Sequence, residues 1–176
     1  MTMRRAFTLM EVNLAILVMA GGLLAVVSLF SFGYRENRQS REDVEATVYA
    51  DAVLSRMTMA LGATNVTWNA FNSINTQPSD KQWADYMNDS DGTVRSDVDS
   101  IAKNAYDGVM GKLGASGANT SYPREAAGKL KAGLVVVHDR NSPVVKIGFR
   151  AARHANELLT MPMFFTEVRF QGDPNQ

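Results

Sequence analysis

The chain has 176 residues and a mass of 19.3 kDa, room for one domain and an appended segment. Lys plus Arg and Asp plus Glu both number 18, so no bulk charge points to nucleic acid or an acidic substrate. The absence of cysteine excludes disulfides, a thiol nucleophile and thiolate metal ligands.

The first predicted element is a long apolar helix. No charged residue lies between Glu11 and Arg35, a run of about 23 residues, or roughly 35 Å as a helix, enough to span the hydrocarbon core of a bilayer. A core helix of that length would show a polar face, and here only Asn13, Ser28 and Ser31 interrupt the apolar run. It is too long for a removable secretory signal, and "SFGYREN" behind it is a poor cleavage site. Arg4 and Arg5 precede the span while Arg35, Arg38 and Arg41 follow it, so flanking charge leaves the orientation open. Glu11, an acid near the start of a membrane segment, marks function by default. Gly21 and Gly22 sit mid-span, either to let the helix loosen or to let another helix pack closely.

The order of residues in "RRAFTLMEV" resembles the class III signal of type IV prepilins and pseudopilins. That family has a short basic leader, a small residue, an aromatic first mature residue and Glu as the fifth. The resemblance implies that Arg4 and Arg5 belong to a leader ending at Ala6, where the family usually has Gly. Phe7 then opens the mature chain and Glu11 falls fifth. It further implies cleavage after Ala6 by a prepilin peptidase, methylation of the Phe7 amine, and pairing of that amine with Glu11 during filament assembly. The implied partners are other pilin-like subunits, the peptidase, an inner-membrane assembly platform and membrane lipid. The implied location is the bacterial inner membrane, with the head in the periplasm. Residues 1–6 are then leader, 7–34 the membrane half of the helix and 35–176 the head.

Beyond Tyr34 the helix is expected to continue to Leu61 and stop at Gly62, with Val44, Val48, Tyr49, Val53, Met57, Ala60 and Leu61 on one buried face. Residues 63–80 read as a loop held onto the head by Trp68 and Phe71. Ser79 and Gln82 suggest a capping box for a short helix containing Trp83 and Tyr86. Val98, Ile101, Ala105, Val109 and Leu113 predict a second helix over 96–113, closed by Gly114. Asp89, Asp91, Asp97 and Asp99 invite a calcium reading, but the EF-hand spacing fails, with Met87 five residues before Gly92 and Val98 at the last ligand position. A turn followed by an acidic helix start explains them better. "GASGANTSYPREAAGKLKAG" reads as a flexible connection.

Three strands are predicted from "GLVVVHD", "SPVVKIGFRA" and "PMFFTEVRFQG". In the second, Val145, Ile147 and Phe149 alternate with Lys146, Gly148 and Arg150; in the third, Phe164, Thr166, Val168 and Phe170 alternate with Phe165, Glu167 and Arg169. The fold class expected is α+β: a long N-terminal helix, membrane-spanning then amphipathic, packed on a small antiparallel three-stranded sheet, with a helical insertion between.

Little points to catalysis. His138 and His154 show no metal spacing and read as surface or turn residues, and "VMGKLGASG" lacks the phosphate-loop spacing. No basic, aromatic-interleaved stripe suggests nucleic-acid binding. The expectation is a structural filament subunit, a minor pilin or pseudopilin, without catalytic residues, cofactor or metal. The alternative is a signal-anchored envelope protein with a ligand-binding head, not processed after Ala6.

Overall fold

The computed structural model describes residues 8–74, 88, 90–91, 93, 95–115, 120–139 and 141–172. The expected short helix with Trp83 and Tyr86, together with Asp89, lies outside them. Two compact units divide the chain, residues 1–41 and 42–176. Helix α1 runs unbroken over Leu9–Leu61. Within the first unit its large apolar side chains are exposed, from Leu9 through Tyr34. This is one helix near the N-terminus long and apolar enough to cross a membrane, with none of its most apolar stretch buried.

The second unit is built around the end of α1 and a sheet of order β1-β2-β3, with β1 Lys131–His138, β2 Val144–Ala152 and β3 Phe164–Arg169. Both pairings are antiparallel, Leu134 opposite Phe149 and Ile147 opposite Thr166. The expected alternation holds: Val145, Ile147, Phe149 and Val168 are buried, while Phe165 is 71% exposed on the other face. Tyr49, Ala50, Val53, Met57 and Leu61 form the buried stripe of α1. Tyr49 meets Phe149 edge-on at 5.0 Å between ring centroids. So the long helix does pack on the sheet, as expected.

Val44 and Val48 do not belong to that stripe. Val48 is 58% exposed and Val44 similarly so. At about 100° per residue, Val48 and Tyr49 point in well-separated directions, and the larger Tyr49 with Val53 and Met57 takes the sheet.

Residues 63–80 also hold more than a loop. Helix α2 spans Trp68–Asn72, its start capped by the Thr67 hydroxyl, which accepts from Ala70 N at 3.3 Å. Phe71 is buried and Trp68 stacks on it, both against Phe170, so the aromatic pair does tie this segment to the head. Asn72 and Asn141 exchange side-chain and backbone bonds at 3.1 and 2.8 Å, holding Asn141 in its left-handed turn at φ 65° between β1 and β2.

Helix α3, Val98–Lys112, ends as its glycine predicts. Gly114 has φ 64°, and Ala115 N reaches back to Met110 O at 3.0 Å while Gly114 N bonds Gly111 O at 3.2 Å, a Schellman closure. Its buried face is rotated from the expected one: Ala102, Tyr106 and Met110 join Val98 and Val109, whereas Ile101, Ala105 and Leu113 are only partly buried. Tyr106 has the most apolar area to remove from water, and it turns the helix toward Tyr122, with ring centroids 5.3 Å apart. The connection that follows contains the short helix α4, Arg124–Ala127, and buried Tyr122, so it is less plain a linker than expected.

His138 is buried rather than on the surface. Its ring meets Phe71 edge-on at 5.4 Å, and Nε2 lies 2.9 Å from Ser142 O. His154 caps the turn Ala155–Glu157 between β2 and β3 and is exposed, as expected.

The tyrosine cluster makes the head sensitive to alkali. The Tyr49 and Tyr122 hydroxyls share a buried hydrogen bond of 2.6 Å. Burial, and then the neighbouring Tyr49 phenol, raises Tyr122 far above its ordinary value of 10, and burial raises Tyr49 and Tyr106 as well. Raised acids bind protons in the folded state that the unfolded chain has already released. Their contribution is therefore complete below pH 10 and is lost as pH rises above it. The thermal midpoint should fall steeply between about pH 10 and 12, and Tyr122→Phe should flatten that slope.

Candidate functional site

The residues singled out by sequence lie at the start of α1. Ala6 and Phe7 fall outside the described residues; Thr8 and Glu11 are within them. Thr8 is the N-cap of α1 and Glu11 the third helical residue. Glu11 Oε2 accepts from Thr8 N at 2.9 Å and from Thr8 Oγ1 at 3.0 Å. In return Glu11 N donates to Thr8 O at 3.0 Å and lies 3.3 Å from Thr8 Oγ1. Two backbone donors that a helix start leaves open are thereby satisfied, in a reciprocal capping box.

This arrangement gives Glu11 a local role that the sequence reading did not include. Its signal was present: "TLME" is Thr-x-x-Glu directly ahead of an apolar run. A carboxylate in the first turn also faces the positive end of the helix dipole. Among the described residues Oε1 of Glu11 takes no hydrogen bond, so one oxygen holds the helix start and the other is left to accept from elsewhere.

Among the described residues, nothing requires glycine at 21 or 22, since a Cβ at either would meet nothing within 4 Å. The acidic residues considered for calcium are dispersed among separate partners. Asp91 caps Thr93, accepting from its N at 3.0 Å and its hydroxyl at 2.7 Å. Asp97 is held by Arg95, and Asp99 by Ala132 N, Lys131 and Arg124. Comparison with family models, with curated proteins and with solved structures finds no match to this chain.

Proposed function

We propose that the protein is a pilin-like filament subunit, a minor pilin or pseudopilin, anchored in the inner membrane by α1 with its head in the periplasm. The observation that carries this reading is the start of α1: a basic pair, a small residue and "FTLME", then an apolar helix continuous with the head. Prepilin peptidase removes residues 1–6, and the mature chain assembles through its helix with other pilin-like subunits on an inner-membrane platform. Its work is assembly, not catalysis.

The capping box supports a specific part for Glu11. Covalent geometry keeps the nitrogen of Phe7 within about 4 Å of that of Thr8, and Glu11 Oε2 already lies against Thr8 N. The proposed α-amine at Phe7 belongs to the residue bonded to Thr8, whose N the Glu11 carboxylate already holds. Oε1 then accepts an amine, from its own chain or from a neighbouring subunit, and both charges are neutralised where hydrocarbon penalises them.

Processing is the test. Protein recovered from membranes of a host with an active prepilin peptidase should lack Met1–Ala6 by intact mass, and the new terminus should carry a methyl group. Ala6→Gly should preserve cleavage and a bulky residue at position 6 should block it. Full-length protein from such a host would overturn the reading in favour of an unprocessed signal anchor.

A further inference from the structure

An open cleft of about 550 Å³ lies between the outer face of α3 and the segment leading into β1, within the roughly 300–1,000 Å³ typical of small-molecule sites. Ser100, Lys103 and Asp107 line the α3 side; Ser121, Arg124 and Lys131 line the other. Asp99 stands between the walls, its side chain 18% exposed. Asp99 Oδ1 accepts from Ala132 N at 2.8 Å, which anchors it on β1. Its Oδ2 accepts from both Lys131 Nζ at 3.0 Å and Arg124 Nη2 at 3.3 Å.

One carboxylate cannot neutralise two cations. The other charges around the cleft pair off: Arg95 grips Asp97 through two bonds of 3.0 Å, Lys103 pairs with Asp107, and Glu125 is turned away to Arg56 at 2.9 Å. Among the described residues the wall of Arg124 and Lys131 therefore carries a single excess positive charge, fixed in place by the anchored Asp99. The facing wall supplies acceptors, the Asp107 carboxylate and the Ser100 hydroxyl.

That pattern selects among ligands. An apolar molecule would strip these polar groups of water without replacing the bonds. A dianion or polyanion exceeds the one free charge and meets the carboxylates of Asp97 and Asp107. A lone small anion leaves most of the volume to water. A molecule with one carboxylate and several hydroxyls satisfies both walls. We propose that this cleft binds an acidic sugar, a hexuronate unit of a glycan, with its carboxylate on Arg124 and Lys131 and its hydroxyls on Asp107, Ser100 and Ser121. The inference concerns the head alone and does not rest on the filament reading.

Titration calorimetry on the full chain in detergent micelles tests it with three probes: a hexuronate trisaccharide, the same trisaccharide reduced at its carboxyls, and a neutral glucose trisaccharide. The acidic probe should bind, and reduction of its carboxyls should weaken binding by at least about tenfold, the effect of losing a charge-assisted hydrogen bond. Arg124→Gln and Lys131→Gln should each weaken it by about tenfold, while Lys129→Gln, outside the cleft, leaves it unchanged. Should Arg124→Gln loosen the fold by releasing Asp99, Lys131→Gln carries the test, because that side chain is 43% exposed. Equal affinity for the reduced and acidic probes overturns the proposal. So does the absence of binding heat with all three, or binding that ignores both cleft variants.

Discussion

Val53→Asp unfolds the head in the expected result, whereas Val48→Asp leaves it folded. The two valines stand five residues apart on α1 and look alike in the sequence. Val53 is fully buried in the core with Tyr49, Met57 and the inner face of the sheet. An aspartate there must either ionise without a partner in a low-dielectric core or be protonated at a cost, and the penalty is several kcal/mol. The whole stability of such a domain is only about 5–15 kcal/mol. Val48 faces solvent, and a charge there should change stability by no more than about 0.5 kcal/mol. The measurement is a circular dichroism melt of residues 35–176, a fragment that retains the whole of the second compact unit and is expected to be soluble. A native-like melt for Val53→Asp would mean that this face of α1 does not form the core.

The contrast between those valines shows where pattern reading succeeds. The strands were legible because β-branched and aromatic residues alternate at period two, and a one-residue slip would have exposed Ile147 and Phe149 together. The end of α3 was legible because Gly114 must adopt positive φ for the Schellman closure. The faces of α1 and α3 were harder. Tyr49, Val53 and Met57 were legible as the sheet-facing residues, but Val44 and Val48, which extend the same spacing, stay exposed because the helix turns Tyr49 onto Phe149. Likewise Tyr106 turns α3 because Tyr122 waits for it, and nothing local to α3 announces that. Residues of the cleft lie far apart in the chain: Asp99 meets Lys131 and Ala132 only because α3 packs beside β1. The capping box at Thr8 and Glu11 is the opposite case, a purely local signature carried by the four residues Thr8–Glu11 alone.

The capping role of Glu11 and its proposed role in docking come apart in Glu11→Gln. Glutamine at this position keeps an amide oxygen for Thr8 N, so the capping box and the helix start should survive. Membrane insertion should survive as well, and improve, because a neutral amide is cheaper than a carboxylate to place near hydrocarbon. Assembly should not. The α-amine of Phe7 would then dock against a neutral group and remain a cation without the partner the proposed docking gives it. Glu11→Ala isolates the other role: it deletes the carboxylate and the box together, and its additional loss of helix stability over Glu11→Gln measures the cap. The measurement is cross-linking to other pilin-like subunits at equal expression, with leader removal confirmed by mass in every variant. Glu11→Gln should be cleaved and inserted like the parent chain and cross-link at a small fraction of its level. Equal cross-linking would leave Glu11 with the cap as its function and no part in subunit docking.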